Sequence, residues 1–327
     1  LFPYTTLFRS VIAIPVCLGS LAVNLSGIID LLTVTGRLSH VMDTAPQQLL
    51  ACYGQNIPQA ELVNGTVHNY LYGAYSGKAV VIANLVPALT TGMAVSALPA
   101  VAESFARGNR LRTQKSIQMV LRITALFCVP AGLGISALSQ EVCSLFFGMN
   151  NEVMVGAPLL RVLGLASIFI ALTGTTNSLL QAVGRVSLPV KLILIGSAIK
   201  LAMNYLLVGI PQLNIQAAPW STLVCYVVIT LLSLIALRST AGPLGAFGVF
   251  GKPLLAGLLC AAFARLTQNM LMQVTASRFA VLLSAAVGAA VYLVGLLLLR
   301  ALKKEDIMML PKGEKMAKIL EKYSLLG

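Results

Sequence analysis

Three ionisable side chains fall inside long apolar stretches of this 327-residue sequence: Asp30, Arg161 and Lys200. A charge at the centre of a bilayer costs at least about 2.5–3.5 kcal/mol on insertion scales, so a charged residue within a membrane span is a candidate for function. Arg122 and Arg265 lie near the ends of such stretches, where their long side chains can reach the interface. We interpret these two arginines as structural and the other three residues as candidates.

Asp30 belongs to a set of polar residues that could bind a small cation. If the apolar stretches cross a membrane in alternating directions, Asp30 lies about one turn below the outer end of its span, and Asn204 and Thr222 lie at a similar depth in two others. Carboxylate, amide and hydroxyl oxygens are typical ligands of small hard cations. The three residues therefore predict an ion-coupling site.

Lys200 changes this interpretation because it lies four residues before Asn204, on the same helix face and one turn deeper. An ammonium group there could take the place of a cation such as sodium. We predict an intramembrane Asp30–Lys200 pair that is broken and remade during function, or by protonation of Asp30. Two alternatives stay open: a static pair that only fixes helix packing, or a pair between Asp30 and Arg161, which lies at a comparable depth.

The sequence contains no residue pattern typical of an enzyme. It has no nucleophile with its base, no paired carboxylates, no phosphate-binding loop and no cluster of metal ligands. We expect His40 and His68 on the surface of a polar segment. The cysteines have no metal-binding spacing and are predicted to be free core residues: Cys17, Cys52, Cys128, Cys143, Cys225 and Cys260.

The composition is that of a membrane protein. The chain is 57% hydrophobic and 10% charged, with a mean hydropathy of +0.87, whereas soluble domains are roughly 45–50% apolar and about 25% charged. The net charge of +13 does not indicate a nucleic-acid partner, because the basic residues cluster in short segments between apolar stretches.

Because a helix needs about 20 apolar residues to cross the hydrocarbon layer, we predict an all-α, polytopic integral membrane bundle with about eight spans. The predicted spans cover residues 11–34, 76–100, 116–138, 157–182, 188–209, 217–237, 253–271 and 279–301.

Basic residues set the predicted orientation, because they concentrate in one alternate set of connections. We expect this set and both chain ends on the cytoplasmic side, and residues 35–75 to form a long external loop with at most a short surface helix. The basic set is Arg107, Arg110, Arg112, Lys115, Arg185, Lys191, Arg238, Lys252, Arg300, Lys303 and Lys304, against Arg37, Lys78 and Arg278 on the other side.

Several segments together resemble one family. They are SALPAVAESFARGN (96–109), LRITALFCVPAGLGISALSQEVCSLFFG (121–148), LLQAVGRVSLPVK (179–191), AIKLAMNYLLVGI (198–210) and the ending LKKEDIMMLPKGEKMAKILEKY. Their order and spacing are similar to the oligosaccharide flippase branch of the MOP exporter superfamily, which includes stage V sporulation protein B and MurJ-like lipid II flippases. The ending most resembles the sporulation-type branch.

The resemblance implies a fold of about fourteen helices in two lobes, of which this chain matches the C-terminal lobe plus two extra helices. We expect residues 1–10 to be a non-native leader, residues 11–301 the membrane domain, and residues 302–327 a basic amphipathic cytoplasmic tail. On this interpretation the chain is a fragment without its N-terminal lobe. Sodium-binding members use a carboxylate on the helix matching that of Asp30, an amide and a carboxylate on that of Asn204, and a hydroxyl on that of Thr222. The resemblance supports these three residues as a site, and Lys200 lies where a further sodium ligand would be expected.

The resemblance also implies a function. We expect a secondary transporter in the bacterial cytoplasmic membrane that flips undecaprenyl-pyrophosphate-linked glycan precursors, with lipids as neighbours and with sodium or proton coupling. Lys78 is a candidate for the substrate head group, or else an ordinary interfacial lysine. The alternatives are a multidrug and toxin antiporter of the same superfamily and a non-transporting scaffold for wall-synthesis enzymes, which deletion of residues 303–327 would impair.

Overall fold

The computed structural model describes residues 26–245, 247–272, 278–299 and 301, and no strand occurs within these ranges. The helices are α1 (26–44), α2 (Pro46–Tyr53), α3 (Gln59–Val63), α4 (Val67–Ala74), α5 (Val81–Ala83), α6 (Leu85–Ala106), α7 (Arg110–Ala137), α8 (Ser139–Phe147), α9 (Asn151–Ala182), α10 (Leu188–Met203), α11 (Ala217–Ala241), α12 (Lys252–Met272) and α13 (Arg278–Leu298). Short π-helical turns occupy Tyr75–Val80, Asn204–Val208 and Phe247–Gly251.

Among the described residues, six helical stretches are long and apolar enough to cross a membrane, and they coincide with the last six predicted spans. They are Arg110–Ala137, Asn151–Ala182, Leu188–Val208, Asn214–Ala241, Phe247–Met272 and Phe279–Leu298. The predicted all-α membrane bundle is thus confirmed. The predicted span at 76–100 falls on the helical residues between Tyr75 and Ala106. Residues 1–25, which include the leader, Cys17 and the start of the first predicted span, and the tail at 302–327 lie outside the described residues.

The prediction of a long loop at residues 35–75 is wrong. Helix α1 continues to residue 44, and α2, α3 and α4 follow. Val34, Leu38 and Val41 recur at helical spacing and are fully buried, so the polar residues between them form only the outer face of a helix. Pro46 and Pro58 do not interrupt a helix, because they stand at the first position of α2 and at the N-cap of α3.

The outer helices bury small residues and expose large ones. On α12, Ala256, Cys260 and Ala264 are buried against the bundle, whereas Leu258 and Phe263 are about half exposed. α12 packs against α7 and α13. This arrangement suits a helix whose outer face contacts lipid, because small residues allow close helix packing and large apolar side chains dissolve well in hydrocarbon.

Helices α7 and α9 cross with backbone contact at Gly132 and Gly164. A Cβ atom added to Gly164 would lie 2.7 Å from the Ser136 nitrogen and 2.9 Å from the Gly132 oxygen. A Cβ atom on Gly132 would lie 2.6 Å from the Gly164 oxygen. The two glycines therefore fix the position of α9, which also packs against α6 and α11 and forms the centre of the bundle.

Two cysteines outside the six long spans are expected to react very differently with a membrane-impermeant maleimide. Cys52 on α2 is exposed, and the predicted orientation places it outside the cell. Cys143 on α8 is buried, and this burial raises the pKa of its thiol to about 11, so little thiolate is present at neutral pH. On intact cells, site mapping by mass spectrometry should find label on Cys52 and none on Cys143.

An Arg110→Cys variant serves as the control for this orientation. Arg110 lies at the exposed start of α7, on the side predicted to be cytoplasmic, so its cysteine should react only after the cells are permeabilised. If the cysteine at position 110 reacts on intact cells and Cys52 does not, the predicted orientation is inverted.

Candidate functional site

Helix α1, at the start of the described chain, and helix α10 present polar side chains to each other. Ser26, Asp30 and Thr33 lie on α1 at spacings of four and three residues, which places them on one face. Lys200 lies in the last turn of α10, and Asn204 follows it by four residues at the start of a π-helical turn. The spacing therefore places the polar side chains of α1 opposite Lys200 and Asn204, along one interface between the two helices.

Asp30 receives three hydrogen bonds in this interface. Lys200 Nζ donates to Asp30 Oδ2 over 2.7 Å, and the Tyr75 hydroxyl donates to the same oxygen over 3.2 Å. Asn204 Nδ2 donates to Asp30 Oδ1 over 2.9 Å. A buried carboxylate is stable only with such partners, and Asp30 is just 6% exposed.

Lys200 is the more deeply buried partner, with 2% of its surface exposed. Besides Asp30, its ammonium donates to Ser26 Oγ over 2.9 Å and to the Ser26 carbonyl oxygen over 3.5 Å. The three acceptors match the three N–H groups that an ammonium can donate. The pair is therefore held by hydrogen bonds on both sides as well as by charge.

Asn204 makes a second contact with α1 and links the pair to α11. Its Nδ2 also donates to Thr33 Oγ1 over 3.1 Å, and the Ser221 hydroxyl on α11 donates to its Oδ1. The amide is fully buried, and its donors and acceptor are all engaged. This fixes the orientation of the Asn204 side chain, so that its N–H groups point towards α1.

Thr222 reaches the network through Tyr75. The Tyr75 hydroxyl lies 3.4 Å from Thr222 Oγ1 and donates to Asp30. Tyr75, Ser26, Thr33 and Ser221 were not among the residues predicted from sequence. Spacing on the helix of Asp30 could have indicated Ser26 and Thr33, but Tyr75 lies at the end of the predicted loop, where no helix face was expected.

Two of the predicted residues lie elsewhere. Arg161 is exposed on α9, at a pocket that it shares with Arg265. Lys78 forms an ion pair of 2.5 Å with Glu152 and donates to Asn150 Oδ1 over 3.2 Å. Lys78 therefore ties the π-helical turn Tyr75–Val80 to the start of α9, and Lys200, not Arg161, is the partner of Asp30.

The chemistry of this network does not suit a bound metal cation. Each oxygen of Asp30 already accepts a hydrogen bond from an N–H or O–H group. An ammonium only 2.7 Å from Oδ2 would repel a second cation strongly in a medium of low dielectric constant. The positive charge next to Asp30 is thus supplied by Lys200.

The family model described as lipid II flippase MurJ matches residues 60–290, more than half of the chain. A curated relative, the lipid II flippase MurJ of Bacillus subtilis (strain 168), is 25% identical over 217 residues. That match covers 63% of this chain and 39% of the relative, so it spans about two fifths of the relative's length.

One solved structure shows a similar fold, and a second matches more weakly. An outward-facing multidrug resistance MATE family transporter of the MOP superfamily matches with a TM-score of 0.52 at 14% identity, covering 90% of this chain and 62% of that one. A MOP superfamily transporter from Pyrococcus furiosus matches with a TM-score of 0.48 at 13% identity, covering 94% and 66%. The family match over residues 60–290 shows that the chain belongs to the lipid II flippase MurJ family.

Proposed function

We propose that this chain forms part of a transporter that flips undecaprenyl-pyrophosphate-linked glycan precursors, such as lipid II, across the bacterial cytoplasmic membrane. The observation that carries the proposal is the family match over residues 60–290. The flippase assignment of the Bacillus subtilis relative and the six long apolar helices support it. In this proposal both chain ends face the cytoplasm.

The Asp30–Lys200 pair would couple this transport to a proton or to the membrane potential. A transporter needs an element that has two stable arrangements, and a buried ion pair between two helices provides one if it is broken and remade during transport. With the pair formed, α1 and α10 are held together by the bonds to Asp30. A proton taken up on Asp30 from water would remove the negative charge, leave the Lys200 ammonium without its counter-ion and favour separation of the helices.

The test measures flipping by a chimera in which this chain replaces the matched part of the Bacillus subtilis relative. In proteoliposomes with fluorescent lipid II, we expect flipping that responds to an imposed membrane potential or proton gradient. Asp30→Asn should reduce that response by about tenfold or more, because the amide neither carries the charge nor takes up the proton. Asp43→Asn is the matched control, since Asp43 is an exposed carboxylate near the end of α1.

Two results would contradict the proposal in different ways. A chimera that reaches the membrane, folds and leaves lipid II unflipped would overturn the transport function. A chimera that flips lipid II with the same dependence on potential and proton gradient in Asp30→Asn as in the parent would leave transport intact and overturn the coupling role of the pair.

A further inference from the structure

A second polar site lies outside the Asp30–Lys200 network. A pocket of about 750 Å³ opens between the end of α7, the start of α8, the first turns of α9 and the middle of α12. Its volume falls within the range of roughly 300–1,000 Å³ that is typical of small-molecule pockets. The alanines Ala157, Ala261 and Ala262 line it, and their short side chains leave this space open between the helices.

Two guanidinium groups line the pocket. Arg161 follows Met154 and Pro158 on one face of α9, and Arg265 faces it from α12. Within residues 26–245, 247–272 and 278–299, no acceptor forms a hydrogen bond or ion pair with the side chain of Arg161, which is exposed. A guanidinium without a counter-ion among the described residues would attract an anion into the pocket.

Arg265 is positioned by a buried acid. Its Nη1 lies 2.8 Å from Glu141 Oε1 and 3.4 Å from the Ala137 carbonyl oxygen. Glu141 is buried, whereas the Arg265 side chain is half exposed. Glu141 therefore neutralises Arg265 and holds it at the wall of the pocket, and the positive charge of Arg161 remains uncompensated by these groups.

We propose that this pocket binds a phosphate group, carried by a lipid head group or by a soluble phosphate, with Arg161 as its main ligand and Arg265 as the second. A guanidinium binds phosphate oxygens in a forked geometry. Ser136, Ser139 and Gln140 line the same pocket and offer hydrogen-bond donors, while Met154 and Pro158 provide an apolar wall for the rest of an amphiphile. The proposal is independent of flipping and of the Asp30–Lys200 pair.

The depth of the arginines fits a lipid phosphate. Arg161 lies ten residues after the start of α9, and Arg265 lies seven residues before the end of α12. At 1.5 Å per residue these distances are roughly 15 and 10 Å from two helix ends that lie on the same side of the bundle. Both side chains are long enough to reach from this depth towards the head-group layer.

The experiment uses the full chain in detergent and measures binding of dioctanoyl phosphatidylglycerol. Dioctanoylglycerol, which has the same tails and no phosphate, is the matched ligand. Arg161→Gln should weaken phosphatidylglycerol binding by about tenfold or more and leave dioctanoylglycerol binding unchanged. Arg185→Gln is the matched control variant, because Arg185 is an exposed arginine between α9 and α10, and it should bind like the parent.

Competition with inorganic phosphate then shows whether the bound phosphate group belongs to a lipid or to a soluble molecule. Displacement of the lipid at millimolar phosphate points to a soluble phosphate as ligand, and resistance points to the lipid head group; either result supports a phosphate site. Equal binding by the parent and Arg161→Gln, or equal binding of dioctanoylglycerol and phosphatidylglycerol, would overturn the proposal. Arg161→Gln is preferred over Arg265→Gln as the primary variant, because loss of Arg265 leaves Glu141 buried and unpaired and could impair folding.

Discussion

Lys200→Met is expected to lower the free energy of unfolding by about 3–5 kcal/mol, because it leaves the buried Asp30 carboxylate without its counter-charge. Methionine has a similar length and no charge, so packing changes little and the loss reports mainly on the ion pair. Asp30 is 6% exposed, and water therefore cannot replace the ammonium. Equilibrium unfolding in detergent micelles measures the effect.

The double variant Asp30→Asn with Lys200→Met distinguishes the attraction between the two charges from the cost of leaving one of them buried alone. Removing both charges should recover more than half of the loss, because no isolated charge then remains buried. Asp43→Asn, on the exposed end of α1, should change stability by less than about 0.5 kcal/mol. If the double variant is as unstable as the sum of the two single variants, the two charges do not stabilise each other.

Gly164→Ala is expected to be the most damaging of the glycine-to-alanine substitutions on α9. The new Cβ atom would meet the Ser136 nitrogen at 2.7 Å and the Gly132 oxygen at 2.9 Å. These are backbone atoms, so they cannot rotate away as a side chain does, and α7 and α9 must separate. We expect a loss of about 2–3 kcal/mol in the free energy of unfolding, which is typical of overpacking in a close-packed interior.

Gly174→Ala is the matched control on the same helix. A Cβ atom at Gly174 would meet nothing within 4 Å, and alanine is favoured over glycine inside a helix by roughly 0.5–1 kcal/mol. This variant should therefore be as stable as the parent or slightly more stable. Equal effects of the two substitutions in the same unfolding assay would contradict a backbone contact at Gly164.

The six long spans could be predicted because hydrophobic length alone identifies a membrane helix. The segment at 35–75 could not, because its helices are amphipathic and short and its polar residues are prominent in the sequence. Only the burial of Leu38, Val41, Leu49 and Leu71 in one core shows that the segment packs against the bundle. Hydropathy averaged over a window does not detect such helices.

The candidate site shows the same limit at the level of single residues. Sequence gives the depth of a residue in a span, and it placed Asp30, Arg161 and Lys200 at comparable depths. It does not give the direction in which each helix faces, which helix packing determines. Lys200 faces α1 and bonds to Asp30, whereas Arg161 lines a pocket with Arg265. The contact of Tyr75 with Asp30 could not be predicted from the sequence either, because it also depends on helix packing.

The glycine crossing of α7 and α9 also bears on how the proposed phosphate pocket behaves when the protein moves. With no side chains between their backbones at Gly132 and Gly164, α7 and α9 are in direct contact, and we expect them to move as one rigid unit. α12 contacts α7 through the side chains of Val129 and Leu133, which lie against Gly257. Arg161 lies on α9 and Arg265 on α12, so the distance between the two guanidinium groups would change with any shift of α12 relative to the α7–α9 pair.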